Sequence, residues 1–232
     1  MVACMSTTKA ADLLILAAHA PELLGLRTAL GTTLAGVVDG LRVVCATVGV
    51  GLPAAAGGTM RHVRDARPRA VLLLGSCGLY PRRTEWKALQ AVIPKSIQLV
   101  DSTVLAHKAA FPAPMQLVLE TDRALADGLA EAEPSALRGA VANTLGITVD
   151  DQLAGRLGRK TSCCAENLEA FSVALACAAR DLPFAAVLVS TNLVGSGGRE
   201  QWRKQQRKAA ERGARLVLEW VARGARGLPT RA

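Results

Sequence analysis

Short, almost wholly apolar runs recur along the chain, separated by longer stretches with helical spacing. Residues 13–18, 41–48, 70–75, 91–100, 139–149 and 185–191 read as strands. Several are apolar throughout, as strands covered on both faces are. Between them, residues 21–30 open with Pro21 at a first-turn position. Residues 52–66 are alanine-rich, and 166–180 are amphipathic and stop before Leu182-Pro183. A last helix is expected over 200–223, with Trp202, Ala209, Ala210, Gly213, Leu216, Val217, Trp220 and Val221 on one face. The alternation predicts a single α/β domain, a central mixed β-sheet flanked by helices. It places a disordered extension at 1–11, the domain at 12–223 and a frayed tail at 224–232.

Half of the 232 residues are hydrophobic and a fifth are charged, which excludes intrinsic disorder. No window approaches about 20 uninterrupted apolar residues, so no membrane span is expected. The net charge is +9, but residues 199–232 carry ten Lys/Arg against three Asp/Glu, leaving +2 for the other 198. The basic balance therefore belongs to one helix face and the tail. A nucleic-acid partner would need stacking aromatics, which make up only 3% of the chain, so none is expected.

Six cysteines, Cys4, Cys45, Cys77, Cys163, Cys164 and Cys177, form no CxxC pair. A chain this long has core enough to fold without a disulfide framework. His19, His62 and His107 share no metal-ligand spacing, so no metal or other cofactor is expected. Lys9, the run 13–18 and Ala18-His19-Ala20 imitate a signal peptide, yet the run is short and Asp12 abuts it. A buried first strand and a cytoplasmic location are expected.

Two apolar runs end in glycine motifs, Val48-Gly49-Val50-Gly51 and Gly75-Ser76-Cys77-Gly78, both read as turns. Glycines after a strand let a ligand approach the backbone. Neither matches a Rossmann or P-loop fingerprint, and an ordinary tight turn accounts for each taken alone. Their order, followed by Ala165-Glu166-Asn167-Leu168-Glu169-Ala170 and by Ser190-Thr191-Asn192-Leu193-Val194-Gly195 with Arg199 and Trp202, resembles the purine nucleoside phosphorylase/nucleosidase superfamily over about residues 12 to 220. Within it, the stretches around Glu166 and Asn192 are similar to those of futalosine hydrolases. Leu168 replaces a usual Met, and Ala170-Phe171-Ser172 replaces Gly-Ala-Ala.

The resemblance implies the following roles. Glu22 is the carboxylate that activates water, and Glu169 accepts hydrogen bonds from the ribose hydroxyls. Leu168 and Ser76 complete the ribose site. Asn192 recognises the base, with Gly78 and Cys77 alongside. An amide at Asn192 suits a 6-oxopurine such as hypoxanthine, because its NH₂ can meet O6 or N7 and its carbonyl can accept N7–H. His19 departs from the family pattern. Leu73 stands where related phosphorylases carry an arginine for phosphate, which implies water as the nucleophile. The implied activity is hydrolysis of futalosine to hypoxanthine, in menaquinone biosynthesis, by a homo-oligomer with a small-molecule purine nucleoside as its partner. Methylthioadenosine/S-adenosylhomocysteine nucleosidase, purine phosphorylase and a non-catalytic nucleoside-binding homologue are the alternatives. Loops near Phe111 and residues 147–151 are expected to read the 5′ substituent.

Overall fold

The structure, a computed structural model, describes residues 10–81 and 87–230. Cys4 and residues 1–9 of the expected extension lie outside them. In chain order the elements are β1 (Leu13–Ala17), a 3-10 helix (Ala20–Leu26), α1 (Arg27–Leu30), β2 (Ala35–Val38), β3 (Leu41–Thr47) and α2 (Leu52–Ala66). Next come β4 (Ala70–Leu79), β5 (Ala91–Val92), β6 (Ser96–Leu99), α3 (Ser102–Leu105), β7 (Val118–Glu120) and α4 (Arg123–Ala132). The chain closes with β8 (Ala140–Asn143), α5 (Asp151–Thr161), β9 (Ala165–Asn167), α6 (Ala170–Ala178), β10 (Phe184–Leu193) and α7 (Gly198–Ala222).

The strands form one mixed sheet. Its path runs β2-β3-β1-β4-β9-β8-β6-β7, with β10 bonded to β4 and β5. β1 lies between β3 and β4, parallel to both. Its side chains alternate between two cores, as a period of two dictates. Leu13, Ile15 and Ala17 pack with the 3-10 helix, α4 and α7 through Leu23, Leu125, Leu216 and Trp220. Leu14 and Leu16 pack with α2 and α6 through Ala55, Val63, Phe171 and Val173. The run that imitates a signal peptide is thus a fully buried strand. Among the described residues no helix is long and apolar enough to cross a membrane.

Several boundaries differ from expectation for physical reasons. The apolar run 91–100 splits into β5 and β6 around Pro94, which has no N–H for a ladder. Gly75-Ser76-Cys77-Gly78 is not a turn. β4 continues through it to Leu79, because β10 pairs with it in parallel from Val71 to Leu79 and β9 pairs with its end. Glu166 and Asn167 belong to the short strand β9 rather than to the following helix. The expected strand at 139–149 stops at Asn143. The expected frayed tail is, over 224–230, folded back on the body. Ala225 is buried, Trp220 Nε1 donates to the Arg226 carbonyl at 3.0 Å, and the Arg69 guanidinium donates to the Pro229 carbonyl. Arg69 also pairs with Asp12 at 2.9 Å, so one half-buried cation ties the tail to the start of β1.

α2 packs close beneath the first glycine motif. A Cβ on Gly58 would stand 2.3 Å from the Val48 carbonyl oxygen, whereas one on Gly57 would meet nothing within 4 Å. Gly58→Ala should therefore destabilise the protein by about 1–3 kcal/mol through overpacking. Gly57→Ala should be neutral or mildly stabilising, as alanine favours the helix. Denaturant unfolding of the two variants compares them directly, and equal midpoints would overturn the close packing.

Candidate active site

A cavity of about 500 Å³ opens where the carboxyl ends of β1, β4 and β10 meet β9. Crevices outside the carboxyl ends of parallel strands are the usual ligand sites of open α/β sheets. Its walls include Glu22, Ser76, Cys77, Gly78, Leu168, Glu169 and Asn192. The residues singled out from sequence, scattered over 170 positions of chain, therefore share one hollow. Val50 of the first glycine motif lines it too, and Gly51, with φ of 83°, turns the chain into α2.

Glu22 enters from the 3-10 helix and is buried. Its Oε2 accepts the backbone N–H groups of Ala18 and His19 at 3.0 and 3.4 Å. Its Oε1 accepts the N–H and hydroxyl of Ser76 at 3.1 and 3.3 Å. The side chain thus joins the end of β1 to the middle of β4. Ser76 Oγ in turn accepts Trp202 Nε1–H at 3.3 Å, which brings α7 into the same network. His19 Nδ1 is 3.2 Å from Glu22 Oε2, at ion-pair rather than in-line hydrogen-bond geometry. The imidazole faces the Trp202 ring at 6.2 Å between centroids and 29° between planes.

Glu169 stands at the start of α6. Asn167 Oδ1 accepts the N–H groups of Glu169 and Ala170 at 2.9 and 2.8 Å, satisfying donors the helix leaves open. Asn167 Nδ2 donates to the Ser76 carbonyl at 3.1 Å, which fastens the helix start to β4. Glu169 Oε1 accepts Gly51 N–H at 2.9 Å across the cleft. Burial pushes the Glu169 carboxyl above the ordinary range, the Gly51 bond opposes this, and the Glu22 charge adds to it. Phe171 lies in the core beneath α2 and does not line the cavity, so its departure from the family pattern fills the interior. Leu168 does line it.

Asn192 sits near the end of β10, opposite Gly78 and just past a register shift. Its Oδ1 accepts the Thr191 hydroxyl at 2.8 Å, and its Nδ2 donates to the Leu193 carbonyl at 2.8 Å. Each end keeps one further hydrogen-bonding valence. Cys77 is buried, and burial holds its thiol well above the ordinary range, which removes it as a nucleophile.

Sequence reasoning expected residues 147–151 at the ligand but missed the side chain that holds that loop in place. Glu166 is buried and accepts Tyr80 O–H at 2.9 Å, Thr148 O–H at 2.6 Å and Thr148 N–H at 3.0 Å. It anchors the loop after β8, whose Ile147, Thr148 and Val149 line the cavity. Phe111 does not. Arg199 and Trp202 also belong to the lining. Their motif was visible, but nothing in helical spacing told which of α7's faces would reach the cleft. Among the described residues no group of three metal-binding side chains occurs.

The protein is thus an α/β domain with an acid-lined hollow at the strand ends of its mixed sheet. The phosphorylase superfamily profile matches residues 2–222, and the chain belongs to that superfamily. No curated relative matches the sequence. Solved structures share the fold. The 5′-methylthioadenosine/S-adenosylhomocysteine nucleosidase of Helicobacter pylori, with butyl-thio-DADMe-Immucillin-A, aligns with a TM-score of 0.81 at 17% identity over 93% of this chain and 99% of that one. The futalosine hydrolase of H. pylori strain 26695 gives 0.80 at 17% over 91% and 97%. The 5′-methylthioadenosine/S-adenosylhomocysteine nucleosidase of Neisseria meningitidis, with methylthio-immucillin-A, gives 0.78 at 21% over 90% and 97%.

Gly78 makes room for the Asn192 amide. A Cβ there would lie 2.8 Å from Asn192 Nδ2 and 2.9 Å from a Val194 methyl. A crystal structure of Gly78→Ala should show the amide displaced and its bond to the Leu193 carbonyl lost. An unmoved Asn192 would contradict this packing.

Proposed function

We propose that the protein is a purine nucleosidase that hydrolyses the N-glycosidic bond of a 6-oxopurine nucleoside, futalosine being the substrate its motifs favour. The observation that carries hydrolysis is the charge of the cavity wall. Glu22, Glu166 and Glu169 line it, against Arg199 as the one Lys or Arg of the lining among the described residues. Phosphate binding calls for several cationic donors, and a wall of carboxylates repels it. Water carries no such requirement.

Cleavage of the bond passes through a ribose with oxocarbenium character while charge moves onto the purine. A carboxylate fixed beside the sugar stabilises that positive charge. Glu169 takes this place and accepts the ribose hydroxyls, with Leu168 against the sugar face and Ser76 beside it. Glu22 organises the corner where water attacks. The spare N–H and lone pair of Asn192 match O6 and N7 of an oxopurine, with Gly78 and Cys77 lining the base pocket. The loop holding Ile147 and Val149 covers the 5′ side. The same reading carries a homo-oligomeric cytoplasmic enzyme that needs no cofactor.

The decisive measurement is a nucleoside panel assayed with and without phosphate, reading free purine. Release of hypoxanthine from futalosine or inosine-type substrates at equal rates in both conditions is the expected result. Strict dependence on phosphate would replace hydrolysis by phosphorolysis. Asn192→Asp should shift preference towards 6-aminopurines, since a carboxyl can donate a proton to N7. Discrimination by hydrogen bonds to a polar group is worth up to about 10⁴-fold, so a preference unchanged within a few-fold would reject Asn192 as the base reader.

A further inference from the structure

The turn that follows Asn192 is gripped from outside the cavity. Between the end of β10 and the start of α7 the chain runs through residues 194–197. Gly195 has φ of 137°, and a Cβ on it would collide with Asp151 Oδ1. The Asp151 carboxylate thus fills the place where a side chain would stand. Its Oδ1 accepts Ser196 N–H at 2.8 Å, and its Oδ2 accepts Ser196 O–H at 2.9 Å. These bonds hold the Asp151 carboxyl below its ordinary range, so the grip is ionised at neutral pH. Hydrogen bonds to an ionised acceptor are stronger than neutral ones.

Asp151 is itself firmly placed. It opens α5, which is capped by Asp150 accepting Leu153 N–H at 2.6 Å. Ala154 and Leu157 of α5 are buried with Val194 and Tyr80 in a small core of their own. The turn therefore rests on α5 twice, through Val194 inside and Ser196 at the surface. At its far end Gly198 N–H donates to the Gly195 carbonyl at 3.1 Å. Gly198 lines the cavity and abuts the Asn192 amide, since a Cβ on it would stand 3.0 Å from Asn192 Nδ2. At the near end Leu193 N–H donates to Gln201 Oε1 at 2.8 Å, and the Leu193 carbonyl accepts the Asn192 amide. A continuous path of contacts runs from Asp151 to that amide.

We propose that Asp151 is the positioning residue of the base reader. Its carboxylate clasps the turn after β10, so that Gly198 and the Leu193 carbonyl hold the Asn192 amide in one orientation. The assignment rests on the purine nucleosidase reading above, in which Asn192 meets O6 and N7. An amide with its ends exchanged presents a donor where an acceptor is needed, so its orientation decides which purine it accepts. Asp151 does not line the cavity and acts only through Asn192. It follows directly on the loop of Ile147 and Val149, so the clasp also ties that wall to the base wall.

The test is a double-mutant cycle on the full chain. It compares kcat/KM for purine release from inosine and from adenosine in wild type, Asp151→Ala, Asn192→Ala and the double variant. Asp151→Ala should lower the value for inosine by about 10-fold to 10²-fold and narrow the preference over adenosine. Its unfolding midpoint should change little, because Asp151 and Ser196 are both exposed. In the Asn192→Ala background the same substitution should cost less than about twofold, as nothing is left to orient. Asp151→Asn, which keeps one acceptor oxygen, should fall between wild type and Asp151→Ala. Equal losses in both backgrounds would overturn the proposal and make Asp151 a general support of the fold.

A second readout needs no turnover. In NMR spectra of the isotopically labelled chain, the side-chain NH₂ signal of Asn192 is identified by its absence from Asn192→Asp. That signal should shift in ligand-free Asp151→Ala. An unmoved signal would overturn the proposal whatever the activity. A shifted signal in a protein that releases no purine from any nucleoside would uphold the clasp and reject the nucleosidase reading.

Discussion

The pairing of β4 with β10 is the contact on which the site depends. Two buried parallel strands stay in register from Val71–Phe184 to Leu79–Leu193, with one shift before Asn192. That ladder draws Gly75-Ser76-Cys77-Gly78 out straight instead of letting it turn. It also sets Asn192 opposite a residue with no side chain. Three further parts of the cavity wall are then fastened to β4. Glu22 bonds to Ser76, Asn167 to the Ser76 carbonyl, and Trp202 to the Ser76 hydroxyl. One serine, held in a strand by its neighbours on both sides, is the common anchor of three elements far apart in sequence.

The polar groups of the cleft do two jobs. Asn167 and Glu166 spend their hydrogen bonds on the protein. The first holds the start of α6, and the second holds Tyr80 and the loop after β8. Glu169 is exposed to the cost of burial with a neighbouring negative charge, and its carboxyl is raised accordingly. Such a group gains from any hydroxyl or positive charge a ligand brings. Fixed dipoles and charges that await a ligand rather than reorganise around it are what a site for charge development requires.

Much of the architecture was legible because apolar periodicity reports burial directly. β1, β3, α2 and α7 stand within two residues of their expected bounds, since each keeps one unbroken pattern. β2, β7 and β9 were not, being three or four residues long. A strand that short has too few positions to show alternation, and only its partners define it. The tail at 224–230 likewise carries glycine, proline and arginine, a composition typical of loose ends. Buried Ala225 and the bonds of Trp220 and Arg69 hold it nonetheless.

For the site, the residue types and their order along the chain already marked Glu22, Ser76, Glu169 and Asn192 as a set. The sequence by itself determined the α/β class, the buried first strand, the placement of positive charge on α7 and the tail, and the identity of these candidates. The first three follow from hydrophobic period and composition, which are local; the candidates follow from the order of motifs that carries the family resemblance. Only the tertiary structure decided that Gly75–Gly78 is strand, that Phe171 fills core, that Glu166 is a buried anchor, and that His19 stands between Glu22 and Trp202. Each of these is a matter of which distant segments meet, and the energy that selects the meeting comes from strand pairing and close packing between them, which no single stretch of sequence contains.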